Sequence, residues 1–125
     1  MAAPAQRQQF ASVPIDSLSP MLLKLMLQQE RYFTQHGSYI AFSSGSTGYE
    51  ERQFQWWSGS RAPDSGYEIE GKACDDEPIE QCVQLIATAG TAVVDADYRD
   101  DECREMKLTS IGERLSIGTL ASCWR

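Results

Sequence analysis

Cysteine is the residue type whose count and spacing most narrow the chemistry of this sequence. Cys74, Cys82, Cys103 and Cys123 form an even set of four in a chain of 125 residues that holds a single histidine, His36. Zinc sites bring their thiolates in short-spaced pairs, and no Cys-x-x-Cys pair is present. Disulfides fit better, and they imply an oxidising compartment. Four cysteines allow three pairings. Sequence-adjacent pairing, Cys74 with Cys82 and Cys103 with Cys123, is favoured because each pair brackets a turn or hairpin. On the loop-entropy model these closures stabilise by about 2.5 and 3.3 kcal/mol.

The other reactive side chains do not converge on a reaction. His36 has no nucleophile or second ligand at a recognisable spacing. It reads as a polar helix-end residue, where a dipole interaction contributes about 0.3–1 kcal/mol. The segment Gly45-Ser46-Thr47-Gly48 lacks the lysine and the strand–helix setting of a phosphate loop, and no Gly-x-Ser-x-Gly elbow occurs. Asp75, Asp76, Glu77 and Glu80 fall between the first two cysteines, in a turn too exposed to raise a carboxyl pKa for acid catalysis. A second acidic run, Asp95, Asp97, Asp100, Asp101 and Glu102, offers hard oxygen ligands and makes calcium an alternative, although its spacing is not that of a twelve-residue calcium loop. Trp56 and Trp57 could present aromatic faces as a surface contact, for example stacking on a glycan, or pack beneath their loop. No catalytic residue, metal or cofactor is assigned.

The elements that would position these residues can be read from periodicity. A net charge of −7 and a hydrophobic fraction of 42% describe a globular chain that disfavours nucleic acid as a direct ligand. Residues 20–125 are expected to form one domain after a residual N-terminal segment, 1–19, in which Pro4 and Pro14 permit at most a broken helix. Ser19 before Pro20 predicts an N-cap and first turn. A helix follows to about Gln35, with Lys24, Gln28, Arg31 and Gln35 in one polar stripe. Its apolar face, Leu22, Leu23, Leu25, Met26 and Leu27, is wider than packing on one sheet requires and predicts a second burial partner.

Gly37 is placed to close the helix. Residues 41–66, rich in Ser, Thr and Gly around Phe54, Trp56 and Trp57, predict a long connection with local structure at most. Alternation then marks GYEIEGKA, CVQLIATA, CREMKLTS and ERLSI as three or four antiparallel strands, with TAVVDADY left open between strand and connection. A helix followed by a segregated antiparallel sheet is α+β architecture. The N-terminus, MAAPAQRQQF, has no signal-peptide pattern and no membrane-length apolar run. For an oxidised chain, the expectation is that an export and anchoring segment, including a transmembrane helix, has been removed and Met1 supplied in its place.

Two stretches together resemble a known family. LLKLMLQQERYFTQHGSYI is similar to the end of the long helix of type IV pilins and the loop after it. CREMKLTSIGERLSIGTLASCW resembles their closing strands and disulfide loop, especially in minor pilins that end in Cys-Trp. Cys103 and Cys123 match the loop-closing cysteines, Met106 and Leu108 the inward strand positions, Gly112 the turn glycine, and Tyr67 and Ile69 the first strand. The resemblance implies a pilin-like head: an N-terminal helix on a sheet of 3–4 antiparallel strands, closed by a C-terminal disulfide loop. It implies a non-enzymatic fibre subunit, a minor pilin serving pilus assembly, adhesion, twitching motility or DNA uptake.

Its implied partners are other pilin subunits and an inner-membrane assembly machinery, with membrane contact only through the missing N-terminal helix, which is methylated in the family. Its implied location is the surface pilus, with the head periplasmic before assembly. A type II secretion pseudopilin shares the fold. A competing class is a free, disulfide-stapled periplasmic binding module that uses Trp56 and Trp57 and whose helix is fully covered by its own sheet.

Overall fold

The computed structural model describes residues 3–100, 102–116 and 123–124, with side chains from residue 18 onward. Helix α1 spans Ala3–His36. A start at Pro20 was expected, and the helix instead runs through Pro4, Pro14 and Pro20. Pro4 lies in the first turn, where amides have no intrahelical acceptor to lose. Pro14 and Pro20 are interior, and each deprives the carbonyl four residues earlier, on Phe10 and Asp16, of its amide. Packing offsets that cost around Pro20, since Leu18 and Leu22 on either side of it are fully buried. Ser19 is therefore not a cap. It sits inside the helix with its hydroxyl buried and no hydrogen-bond partner among the described residues.

The inward side of α1 is narrow. Leu18, Leu22, Leu25 and Gln29 recur at helical spacing and are each 1% exposed or less. Gly37, with φ of 74°, donates its amide to the Phe33 carbonyl at 2.8 Å and closes the helix in the left-handed conformation expected of it. Gln29 then reaches across the turn. Its amide nitrogen donates to the Ile40 carbonyl at 2.7 Å, and its amide oxygen accepts from the Ile40 N–H at 3.0 Å. The buried side chain thus treats Ile40 as a partner strand would.

That pairing delivers Phe42 to the sheet. Phe42 and Gly71 exchange backbone hydrogen bonds of 3.0 and 2.9 Å as an antiparallel bridge. Farther along the same connection, Trp56 accepts from Ile69 at 2.7 Å and Trp57 bridges Glu68. Two short 3-10 turns, Glu51–Gln53 and Ala62–Asp64, lie between and after these anchors. The connection predicted from 41 to 66 therefore runs beside β1 and covers its free edge, which limits edge-to-edge association.

Four strands make an antiparallel meander in the order β1-β2-β3-β4: β1 Tyr67–Ala73, β2 Val83–Ala89, β3 Glu105–Thr109 and β4 Arg114–Ser116. Register brings Ile69 opposite Ala87 and Gly71 opposite Leu85, then Ala87 opposite Met106 and Leu85 opposite Leu108. These residues form one face, and with the inward stripe of α1 they make the core. TAVVDADY is not a strand but a series of turns, in which Val94 is buried.

Gly71 has a specific task, because a Cβ there would lie 2.6 and 2.8 Å from atoms of the Phe42 ring. Cys74–Cys82 staples the end of β1 to the start of β2, and Cys103–Cys123 closes the C-terminal loop, with Cα separations of 5.4 and 5.7 Å. Residues 117–122 of that loop lie outside the described residues. Among the described residues, no helix is long and apolar enough to cross a membrane.

Two stability outcomes follow from these contacts. Gly71→Ala drives a methyl into Phe42 and is expected to cost about 1–3 kcal/mol, while Gln29→Leu leaves both Ile40 backbone groups unpaired and costs about 2–3 kcal/mol. Urea unfolding of each variant measures this; midpoints equal to wild type would mean that the loop docks without them. Replacing Cys103 and Cys123 together by Ser is expected to lower stability by about 3 kcal/mol, more than the same change at Cys74 and Cys82, because the closed loop is longer.

Candidate functional site

The helix face proposed as a packing surface divides in two. Leu22 and Leu25 are buried against the sheet, and Met26 is partly buried at the margin of the core. Leu23 and Leu27 are 43% and 61% exposed. At about 100° per residue they fall roughly opposite the inward stripe and one turn apart. Lys24, Glu30 and Arg31 are exposed beside them. Single exposed leucines are ordinary, but two aligned on the uncovered side of one helix form a short apolar seam within a charged surround.

His36, at the helix end, is tied to the connection that follows. Its Nε2 lies 3.4 Å from a Glu50 carboxylate oxygen, its ring stacks on Tyr32 at 3.9 Å, and the Tyr32 hydroxyl donates to Glu50 at 3.2 Å. These contacts pin the loop to the last turn of α1. Burial, followed by the negative charge of Glu50, raises the Tyr32 pKa.

The two tryptophans occupy the other side of the loop. Phe54 stacks on Phe42 at 5.0 Å within the core, and Trp56 packs against that core while meeting Trp57 edge-on at 5.1 Å. Both indoles are part-buried. They join Ser43, Ser44, Ser46 and Arg52 around a pocket of about 320 Å³. The serines and Arg52 carried no signal in the sequence, since a loop of mixed polar residues does not reveal which of them its folding gathers. Gln29 was detectable in principle, because it continues the phase of Leu18, Leu22 and Leu25.

The acidic run lies in turns that its own carboxylates help to hold. Asp95 accepts the Asp97 amide at 3.0 Å, and Asp100 accepts the Cys103 amide at 3.0 Å. Among the described residues, the cluster of potential ligands is Cys74, Glu77 and Cys82, whose sulfurs are bonded to each other. Of the carboxylates considered for calcium, those of Asp95 and Asp100 accept turn amides, and Asp101 lies outside the described residues.

Asp100 also takes part in the C-terminal closure. The Tyr67 hydroxyl lies 2.9 Å from the Cys103 carbonyl and 3.1 Å from Asp100 Oδ2, and its one proton serves either acceptor. Burial pushes the Tyr67 pKa far above the ordinary 10.0, with Tyr98 and Asp100 adding to the shift. Trp124, nearly buried, donates its indole N–H to the Leu115 carbonyl at 3.1 Å and lies under the Arg114 guanidinium at 5.5 Å.

No protein-family model and no curated protein matches this sequence. Among solved structures, a type IV pilin from Shewanella oneidensis is similar, with a TM-score of 0.53 at 18% identity, over 91% of this chain and 96% of that one. The fold is pilin-like: one N-terminal helix on a four-stranded antiparallel sheet, with a C-terminal disulfide.

Tyr67 generates a pH dependence whose sign is fixed. The unfolded chain releases the phenol proton near 10.0 while the folded chain retains it, so above that pH the unfolded state binds fewer protons and stability falls as pH rises. Tyr98 and Tyr39 shift in the same direction, mainly through burial. Urea midpoints measured across the alkaline range should decline, and less steeply for Tyr67→Phe, which itself costs about 1–2 kcal/mol at neutral pH. Identical alkaline slopes would show that Tyr67 ionises normally in the folded protein.

Proposed function

We propose that this chain is the head of a type IV pilin-like subunit, a structural building block of a bacterial surface fibre, most specifically a minor pilin. The observation that carries this is the seam of Leu23 and Leu27 on the uncovered side of a long helix whose opposite side is sealed by its own sheet. Such a seam loses its hydration when a neighbouring subunit's helix lies against it, and each leucine fully buried contributes about 1.5–3 kcal/mol. The pilin-like fold, an N-terminal helix on a four-stranded antiparallel sheet, supports the same reading.

Assembly alone is the function proposed for the helix, with neighbouring subunits and an inner-membrane assembly machinery as partners. Adhesion, twitching motility or DNA uptake are the processes such a fibre would serve. A pseudopilin of a type II secretion system would use the same surface. The free binding module fits less well, since it calls for a helix covered entirely by its own sheet, and Leu23 and Leu27 are not covered.

The test is Leu23→Lys with Leu27→Lys in the subunit as its own cell makes it. Sheared fibres should contain at least about tenfold less of the variant than of wild type, since two lost burials exceed the 1.4 kcal/mol that corresponds to tenfold. The cellular level of the folded, oxidised head should be unchanged. Equal incorporation of the variant would overturn the assembly reading.

A further inference from the structure

The pocket between the two arms of the connection is chemically distinct from the rest of the surface. In a chain with net charge −7, no carboxylate lines it and one cation, Arg52, does. Among the described residues, the Arg52 guanidinium has neither an ion pair nor a hydrogen bond, although Glu51 precedes it and Glu50 lies one residue farther back.

Ser43 and Ser46 each accept one backbone amide on the hydroxyl oxygen. Ser46 Oγ accepts the Ser43 amide at 2.9 Å, and Ser43 Oγ accepts the Gly45 amide at 3.2 Å, and neither O–H has an acceptor among the described residues. Ser44 donates to Glu68 at 3.2 Å, which anchors its arm to β1. The pocket therefore offers a guanidinium fork and two uncommitted hydroxyl donors beside two indole rings, on arms held by the Phe42–Gly71 and Trp57–Glu68 bridges. A site that is already built loses little entropy on filling.

A ligand that satisfies such a site has a flat or puckered apolar face for the indoles, several acceptor oxygens, and one negative charge in carboxylate geometry for arginine. A polyphosphate fits poorly, because one cation cannot balance it and the acidic surround repels it. We propose that Ser43, Ser46, Arg52, Trp56 and Trp57 form a binding site for a carboxylated pyranose, one sugar ring filling the pocket of about 320 Å³ with its carboxylate on Arg52. Sialic acid termini and uronic acid polymers share this chemistry. The inference stands on the pocket alone and does not depend on the fibre.

The experiment is a titration of the intact chain followed by the tryptophan indole N–H resonances and by tryptophan fluorescence. Probes are N-acetylneuraminate, glucuronate, glucose, acetate and inorganic phosphate. Saturable shifts are expected for one or both sugar acids, whichever binds tighter identifying the source. They should weaken about tenfold in Arg52→Gln, as expected for loss of a charge-assisted hydrogen bond, and on raising the salt concentration. Glucose should bind more weakly and be unaffected by Arg52→Gln. Trp57→Leu should abolish binding of both sugar classes.

Arg52 is exposed, so its variant is expected to unfold at the wild-type temperature, which keeps the test decisive if Trp57→Leu does not fold. Three results would each overturn the proposal: no saturable shift with either sugar acid, an equal response to acetate or phosphate, or sugar-acid binding unchanged in Arg52→Gln.

Discussion

One buried amide decides how the two halves of this molecule meet. Gln29 stands where the helical phase calls for an apolar residue, and it pairs with both backbone groups of Ile40 at 2.7 and 3.0 Å. A buried amide left unpaired is costly, so the chain leaving α1 has one favourable path. That path brings Phe42 over β1 at the one position, Gly71, where the absence of a side chain lets the ring approach. Phe54 then stacks on Phe42, and the rest of the connection follows along the edge of β1. Among the contacts that tie the connection to α1, the Gln29 pair is the one made from inside the apolar stripe.

The C-terminal half is secured differently. Local hairpins set the meander, while Cys103–Cys123 and the Tyr67 hydroxyl, near the Cys103 carbonyl and Asp100, tie its far end to the first strand. Within the acidic segment, Asp95 and Asp100 use their carboxylates to accept backbone amides of their own turns.

The helix carries two apolar surfaces. Its inward stripe is buried within the head, and Leu23 and Leu27 on its outward side are exposed. The loop likewise divides between Phe54, which belongs to the core, and the tryptophans, which keep part of their surface beside Arg52 and the serines. Surfaces left open on both elements are compatible with one another, because the leucine seam and the pocket draw on different elements and different chemistry.

Much of the architecture was legible from the chain alone. Period-two alternation located the four strands to within a residue or two, and the burial of β1 and most of β3 alternates accordingly, while β2 is buried on both faces over its first five residues. The favoured cysteine pairing matches the structure, since short loops are the cheapest to close. Gly37 and Gly112 marked turns that require positive φ. The helix start was misplaced because proline and N-cap preferences are local, and burial of Leu18 and Leu22 outweighs them near Pro20. Which leucines face the core and which face outward, the partner of Gln29, and the gathering of Ser43, Ser46 and Arg52 beside the tryptophans were decided by tertiary structure alone. Each depends on residues distant in sequence brought to one place, and no pattern of neighbouring residue types encodes such a distance.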